Sequence, residues 1–263
     1  MTSSLPDWQL PPGVDRGLWD YLHDADIARS YDETLANSPL ITVDQAFTER
    51  HFERPGRLID LGCGTGRLLV SFARRGYWVL GVDLSEEMLK AAGAKAEQAG
   101  VTVHRLKANL VELDGVRDQS FDYAACLFST LGMVRGDVER QRVLKHVYRV
   151  LKPGGRLVLH VHNRWFNLWD PEGRRWLLWD FVQSVRRGRQ AGDRLMPVHR
   201  GIAGLTLHLF TRREVSRRLR RTGFRIVEVQ PVSSGPDGRL SLPRFFGWLR
   251  AYGYLIAAER PIA

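Results

Sequence analysis

The sequence predicts an α/β fold in which helices pack on a parallel β-sheet. From residue 57 onward, short apolar runs alternate with segments of helical periodicity, a pattern typical of βαβ units. A length of 263 residues is enough for one large domain with its own core. With 44% hydrophobic and 26% charged residues, the composition is that of an ordinary globular protein. It excludes collagen-like, disulfide-scaffold and wholly disordered chains.

Residues 1–54 are predicted to form a helical cap that precedes this alternation. Pro11, Pro12 and Gly13 indicate an irregular arm, and the apolar spacing within 18–52 predicts helices. The first residues lack the basic and apolar regions of a secretory signal, and no apolar stretch is long enough for a membrane span. Cys63 and Cys126 are too few for a disulfide framework. We therefore expect a cytoplasmic protein.

Strands and helices are then predicted in turn as far as residue 162. The predicted strands are Arg57–Leu61, Trp78–Val82, Val101–Leu106, Phe121–Leu127 and Arg156–His162. The helices begin near Leu68, Ser85 and Val138, and the last one ends before Pro153, which cannot continue a helix. Residues 164–206 break the alternation. After them the sequence predicts a helix over Glu214–Arg221 and strands over Phe224–Gln230 and Tyr252–Glu259.

A glycine-rich turn follows the first strand and leads into a helix. Its spacing is Gly-x-Gly-x-Gly over 62–66, and Arg67 stands where a dinucleotide site would have its third glycine. Asp60 precedes the turn by two positions, where a carboxylate repels a pyrophosphate but attracts an ammonium group. Asp83 ends the second strand, where a carboxylate can accept hydrogen bonds from both ribose hydroxyls. The pattern indicates a Rossmann-like site and disfavours an NAD-binding oxidoreductase.

These residues resemble the class I S-adenosylmethionine-dependent methyltransferases. The matching segments are LIDLGCGTGRLL, VLGVDLSEEML, FDYAACLFSTLG and LKPGGRLVL, in this order. The resemblance covers 55–163 closely and 207–230 loosely. It implies a Rossmann-like, seven-stranded, mostly parallel sheet with an antiparallel last strand and helices on both faces. It also implies a methyltransferase domain over 55–263, with S-adenosyl-L-methionine as cofactor.

The resemblance also implies which residues hold the cofactor. Asp60 and the glycine turn would take its methionine part, Asp83 its ribose, and Leu84 and Met88 its adenine. Asn109 stands where the family often has an aspartate near the adenine amino group. The full predicted set is Asp60, Gly62, Cys63, Gly64, Gly66, Asp83, Leu84, Met88, Asn109, Leu110, Leu127 and Ser129.

Methyl transfer from a sulfonium depends mainly on alignment, and a general base is needed only where the acceptor loses a proton. His162, at the carboxyl end of the fifth strand, is the candidate base. The candidate substrate residues are Tyr21 and Tyr31 in the cap, and Asn163, Arg164 and Trp165 after the strand. The segment LFST replaces the Asn/Asp-Pro-Pro-Tyr tetrapeptide of DNA adenine and protein glutamine methylases, which disfavours those substrates. No metal-ligand spacing is present in the sequence.

The acceptor is the open question, because residues 164–206 form a Trp- and Arg-rich insertion where the family varies its substrate lid. Residues 164–263 carry 19 basic and 8 acidic side chains, and every basic one is arginine. The insertion is a lid over a small molecule, an RNA-binding surface or a membrane-binding surface. We expect a small-molecule acceptor first, and RNA second through an arginine-rich helix that includes Arg217, Arg218, Arg220 and Arg221. A catalytically silent cofactor-binding protein is the third alternative.

Overall fold

In the computed structural model, a seven-stranded sheet lies at the centre of the fold. The structure describes residues 5–35, 38–188, 190–196, 204–235, 237–243 and 245–262. Parts of the predicted lid, residue 189 and residues 197–203, lie outside them. The strands of the sheet are β1 Arg57–Leu61, β2 Trp78–Asp83, β3 His104–Lys107, β4 Phe121–Cys126, β5 Leu151–His162, β8 Arg225–Val232 and β9 Gly253–Glu259.

The strand order is β3-β2-β1-β4-β5-β9-β8. The pairs from β3 to β5 are parallel, whereas β9 runs antiparallel to both β5 and β8. The predicted sheet of seven strands with an antiparallel last strand is therefore confirmed. Two further strands, β6 Asp193–Leu195 and β7 Thr206–His208, pair antiparallel as a separate small sheet.

Helices cover both faces of the sheet. They are α1 Arg16–His23, α2 Ala25–Leu35, α3 Pro39–His51, α4 Arg67–Arg74, α5 Glu86–Gln98, α6 Thr130–Met133, α7 Asp137–Val150, α8 Pro171–Arg187, α9 Arg212–Thr222 and α10 Gly247–Arg250. None of the helices in the described ranges is both long and apolar enough to cross a membrane. As predicted, Ser85 caps α5, since its hydroxyl accepts a hydrogen bond from Met88 N.

Two buried clusters, one on each face, hold the layers together. On one face the sheet packs against α7 and α9 through residues such as Val143, Leu144 and Leu219. On the other face Phe47 of α3 and Phe72 of α4 are buried against the sheet. Burying apolar surface on both faces is what a largely parallel sheet requires.

Two predicted strand starts, those of β3 and β5, are wrong by three residues or more. β3 begins at His104 rather than Val101, because Val101 N still bonds the carbonyl of Ala96 at the end of α5. β5 begins at Leu151 rather than Arg156. Leu151 pairs with Phe121, and the register then shifts by several residues before Arg156 pairs with Tyr123. Pro153 is tolerated because it lies within this irregular stretch of the strand.

Helices α1 and α2 of the cap and the β6–β7 part of the insertion lie over the carboxyl end of the sheet, whereas α3 packs on one of its faces. A 3₁₀ helix, Arg164–Trp169, leads from β5 into α8, and the hairpin of β6 and β7 returns the chain to the sheet. Helix α1 meets the segment before β7 backbone to backbone, since a Cβ atom on Gly17 would lie 2.3 Å from the carbonyl carbon of Gly204. Only glycine permits this approach.

Candidate functional site

Two adjoining cavities lie at the carboxyl ends of β1, β2, β4 and β5, where ligands bind in such sheets. We call them the central cavity, of about 340 Å³, and the side cavity, of about 260 Å³. Tyr31, Gly62 and Phe128 line both. The predicted residues that line the central cavity are Tyr21, Tyr31, Gly62, Gly64, Asp83, Leu84, Met88, Asn109, Leu110 and His162. Those that line the side cavity are Tyr31, Asp60, Gly62, Cys63 and Leu127.

The glycine-rich turn shapes the floor between the cavities. Gly62 N and Cys63 N both donate to the carbonyl of Val82, at 2.8 and 3.1 Å, which folds the turn over the end of β2. Gly62 has a φ of +73°, and a Cβ atom there would lie 2.4 Å from Cγ2 of Thr130. A side chain at this position would both strain the backbone and fill the cradle. Gly66 lines neither cavity; its absent side chain instead makes room for Ala92 of α5.

Asp83 is buried at the wall of the central cavity. Its Oδ2 accepts a hydrogen bond from Gly64 N, and its Oδ1 accepts one from Ser85 N, both at 2.9 Å. Burial raises the pKa of this carboxyl group, although the backbone donors oppose the shift. A carboxylate has about four acceptor positions, so two backbone bonds leave it able to accept hydrogen bonds from hydroxyl groups in the cavity.

The side cavity combines charges of both signs. Burial, more than any neighbouring charge, raises the pKa of Asp60 to about 7. Arg67 lines the same cavity, and no carboxylate among the described residues lies within ion-pair distance of it. Asp32, from the cap, also lines it and is held by Thr65 and Lys95 at 2.7 Å each. An ammonium and a carboxylate on one ligand would therefore both find partners here.

Arg67 and Asp32 were not predicted as site residues. The sequence analysis used Arg67 only as an argument against a dinucleotide. An available signal was its place at the first position of α4, directly after the glycine turn, where the chain faces a bound ligand. Asp32 reaches the site from the cap, so nothing in the local sequence pointed to it.

Away from Asp83 and the glycine-rich turn, the central cavity is lined mainly by apolar side chains. Tyr252, directly before β9, faces His162, with ring centroids 4.8 Å apart. Further apolar residues that line this cavity are Val14, Leu18, Leu22, Phe128, Met133, Val134, Met196, Leu205 and Leu207. Phe128 has a φ of +53°, and the following Ser129 a φ of +61°, so the chain turns sharply into the cavity after β4.

His162 is the polar group among these apolar side chains. Burial, with a smaller effect from the nearby His160, lowers its pKa to about 3. The imidazole is therefore neutral over the physiological range. Its Nε2 atom is buried and has no hydrogen-bond partner among the described residues, and the side chain lines the central cavity. An unpartnered polar atom of this kind is costly unless a ligand supplies the partner.

His160 lies on the same side of β5 but serves the fold. It is fully buried, and its Nδ1 lies 2.9 and 3.1 Å from the two carboxylate oxygens of Asp44 in α3. This buried pair ties the cap to the central strand beside His162, whose ring centroid is 5.7 Å from that of His160. The pair joins residues 116 positions apart, beyond the reach of any local pattern.

Four predicted residues point away from the cavities. The Ser129 hydroxyl accepts a hydrogen bond from His162 N, at 3.3 Å, so it orients the end of β5. The Asn163 amide donates to the carbonyls of Trp248 and Ala251, and Arg164 pairs with Asp180 at 2.6 Å. Trp165 lines a different groove. The 3₁₀ helix that starts at Arg164 turns the side chains of residues 163–165 away from the cavities, and the alternation expected of a strand did not predict this turn.

Asn109 stands at the predicted place with a different bonding pattern. Its Nδ2 donates to the carbonyl of Pro12 in the N-terminal arm, at 2.8 Å, and its Oδ1 accepts from Val111 N at 3.1 Å. The side chain thus holds the arm against the cavity. Within the described residues, no group of three or more His, Cys, Asp or Glu side chains is placed to hold a metal ion.

Comparison with known proteins points to one family. Residues 58–155 match the family model described as a methyltransferase domain. A Geobacillus sp. (strain WCH70) protein that carries a methyltransferase name is 36% identical over 138 residues, 51% of this chain and 55% of that protein. The ubiquinone biosynthesis O-methyltransferase of Hahella chejuensis is 34% identical over 119 residues, 45% of this chain and 48% of that protein. The chain thus spans about half the length of the curated relatives it matches.

A solved structure extends the likeness over most of the chain. A S-adenosylmethionine-dependent methyltransferase from Methanosarcina mazei superposes with a TM-score of 0.67 at 25% identity. The match covers 82% of this chain and 98% of the other. The seven-stranded sheet and its surrounding helices are therefore shared beyond the segment that the family model matches.

Proposed function

Since residues 58–155 match the family model of a methyltransferase domain and the fold resembles that of the S-adenosylmethionine-dependent methyltransferase from Methanosarcina mazei, we propose that this chain methylates a small apolar acceptor. The observation that carries the proposal is the pairing of two unlike cavities. The side cavity is charged, with Asp60 and Arg67, whereas the acceptor side of the central cavity is apolar around the neutral His162. The Hahella relative, named for O-methylation in ubiquinone biosynthesis, is consistent with an apolar acceptor.

The described residues fit the cofactor at both of its ends. Asp60 would hold the ammonium of its amino-acid part and Arg67 the carboxylate, in the side cavity. Asp83 would accept hydrogen bonds from the ribose hydroxyls, and the apolar Leu84 and Met88 would contact the base. Gly62, which lines both cavities, would leave room for the part that joins these ends.

The bound cofactor supplies a methyl group on a positively charged sulfur, which leaves as a neutral thioether. The chain holds the acceptor in line with that methyl group and excludes water. Tyr252 and Phe128 would flank a planar acceptor within the apolar cavity. His162 Nε2 would accept a hydrogen bond from the acceptor's hydroxyl or amine. This bond would direct a lone pair of the acceptor's oxygen or nitrogen toward the methyl group. With a pKa of about 3, His162 acts by orientation and does not store a proton at neutral pH. The proton that the acceptor loses when it gains the methyl group would pass to solvent as the product leaves.

Replacing His162 tests this role. We expect His162→Ala to lower kcat/KM about tenfold to a hundredfold, the loss of one hydrogen bond that orients the acceptor. His162→Gln, which can still accept a hydrogen bond, should restore part of the rate. Since the wild-type imidazole is neutral throughout, the rate should show no inflection near pH 6.5. Equal rates for wild type and His162→Ala, or a histidine inflection that His162→Ala removes, would contradict the assigned role.

The raised pKa of Asp60 predicts a pH dependence of cofactor affinity. The free protein holds a proton on Asp60 below a pKa of about 7, and a bound ammonium favours the ionised form. Binding then releases the proton, so affinity for S-adenosylhomocysteine should rise by up to about tenfold per pH unit until pH 7 and level off above it. Calorimetry between pH 5.5 and about 8.5 measures this slope. Asp60→Asn is the control: it should bind more weakly, without the slope.

A transfer assay in a lysate of the native host tests the acceptor class. Purified protein and methyl-labelled S-adenosylmethionine are added, and label is counted in the RNA, protein, lipid and small-molecule fractions. We expect label in the small-molecule or lipid fraction. Label in nuclease-sensitive material would overturn the acceptor assignment. The absence of label in every fraction, with cofactor affinity intact, would favour the silent cofactor-binding alternative.

A specific observation favours RNA as the second candidate acceptor. Arg213, Arg217, Arg220 and Arg221 line one open groove on α9, and no carboxylate among the described residues is within ion-pair distance of them. Arg218, which the sequence also predicted for this surface, is instead buried in ion pairs with Glu214 and Asp137. Four neighbouring cations without partners suit a phosphate backbone.

A further inference from the structure

Helix α8 packs on the protein through a side that mixes polar and apolar residues, since Leu177 and Asp180 are both buried on it. Asp180 is buried on that side, where it pairs with Arg164 at 2.6 Å and accepts hydrogen bonds from Gly192 N. The opposite side presents Leu178, Phe181 and Val185, which are 67%, 61% and 69% exposed. Their spacing places them in one stripe along the helix. A surface helix normally buries its apolar residues, whereas this stripe of α8 faces outward.

Arginines surround the apolar stripe. Arg174 and Arg175 lie one turn before it and Arg186 directly after it, and all three are exposed. No carboxylate of the described residues is within ion-pair distance of any of them. Trp179, on the adjoining side of the helix, is 54% exposed. Apolar residues with tryptophan and flanking arginines are typical of helices that lie in the headgroup region of a membrane.

A second exposed apolar segment adjoins the start of α8. Leu242, Phe245 and Phe246 are 72%, 64% and 53% exposed. Trp169, directly before α8, is also exposed, and its Nε1 donates a hydrogen bond to the carbonyl of Leu249 at the end of this segment. The exposed apolar surface thus continues from the helix to the 242–249 segment, more than scattered surface residues produce.

This surface also connects to the acceptor side of the central cavity. Leu195, 63% exposed at the end of β6, lines one surface depression together with Trp176 and Trp179 of α8. The next residue, Met196, lines the central cavity. A molecule bound at the apolar surface of α8 would therefore lie close to the wall of the central cavity, because Leu195 and Met196 are adjacent in the chain.

We propose that α8 and the 242–249 segment dock this protein on a membrane surface that contains anionic lipid. The inference rests on the proposed function and adds the acceptor's source, a molecule dissolved in the bilayer. The charge of this surface favours a membrane over a second copy of this chain. In a symmetric dimer, Arg174, Arg175 and Arg186 would face the same arginines of the partner. An anionic headgroup layer instead complements all three while the stripe between them enters the acyl boundary.

Vesicle co-sedimentation tests the proposal on the full chain. Wild type should bind vesicles of phosphatidylcholine with phosphatidylglycerol, and bind phosphatidylcholine alone far less. The triple variant Leu178→Ser, Phe181→Ser, Val185→Ser should lose about tenfold or more of this affinity. The matched control is Val138→Ser, an equally exposed apolar residue on α7, which should bind as wild type does.

A second variant pair separates local docking from net charge. Replacing Arg174, Arg175 and Arg186 by glutamine should weaken vesicle binding about fivefold per arginine at low salt. The control replaces Arg213, Arg217 and Arg221 on α9, with the same change in net charge, and should leave most of the binding intact. Equal losses in both variants would overturn docking through α8.

Other outcomes also decide the matter. A wild-type dimer in light scattering that the triple variant breaks, with no vesicle binding, would assign the α8 surface to a second copy. Tight single-stranded RNA binding that the α8 arginine variant abolishes would assign it to RNA. Affinity for S-adenosylhomocysteine is measured on every variant and should stay unchanged. Failure of docking with intact cofactor affinity would then refute this inference alone and leave the proposed function standing.

Discussion

Asp83→Ala should lower the affinity for S-adenosylhomocysteine about a hundredfold. The carboxylate is buried at the wall of the central cavity, where two hydrogen bonds from ribose hydroxyls to a charged acceptor would each contribute roughly 1.5 kcal/mol. Its removal also leaves Gly64 N and Ser85 N without their acceptor. Isothermal titration calorimetry measures the change directly.

Ser85→Ala is the matched control for this variant. It removes the side-chain cap of α5, whose hydroxyl accepts from Met88 N, at a cost to stability of about 1 kcal/mol. Ser85 lines neither cavity, so its variant should bind the ligand within about twofold of wild type. If Asp83→Ala bound S-adenosylhomocysteine as wild type does, the assignment of the ribose site would be wrong.

Asp44→Ala should destabilise the fold by about 3–5 kcal/mol. The substitution leaves His160, fully buried in the central strand, without the carboxylate that holds its Nδ1. Replacing both partners by leucine should recover much of this loss, because two apolar side chains leave no buried polar group unpaired. Urea denaturation of wild type and of these two variants measures the free energies of unfolding.

The control for this prediction is an exposed aspartate of the same cap. Asp26 pairs with Arg29 on the surface of α2, and Asp26→Ala should cost less than about 1 kcal/mol. The large effect expected at Asp44 thus comes from burial and not from the loss of any carboxylate. An Asp44→Ala protein as stable as Asp26→Ala would show that the buried pair does not stabilise the fold.

The sequence predicted well the local structure of those cavity-lining residues that are contiguous in the chain. Asp60, Gly62 and Asp83 belong to short strand–turn–helix units whose geometry follows from local sequence. The same locality explains why β1, β2 and β4 were predicted nearly to the residue. Hydrophobic alternation failed where the chain left a strand, at Asn163–Trp165 and at the irregular start of β5.

Contributions from distant segments could not be predicted. Tyr252 reaches the central cavity from the residue before β9, and Met196 reaches it from the insertion, so only the assembled sheet brings them together. The Arg218 side chain belongs to a helix whose sequence is strongly basic, and only its packing against α7 separates it from the exposed arginines beside it. Charge alone carries no information about which side of the helix faces inward.

The contact between Gly17 and Gly204 has a consequence for acceptor scope. Backbone meets backbone there, so the distance between α1 and the segment before β7 is fixed by main-chain thickness and cannot be enlarged by trimming a side chain. To admit a bulkier ligand, the side chains that line the central cavity must be made smaller, first of all Leu205, Leu207 and Met196. Any larger residue at position 17 would push α1 away from the segment before β7. The central cavity would then become wider, but it would also open to solvent.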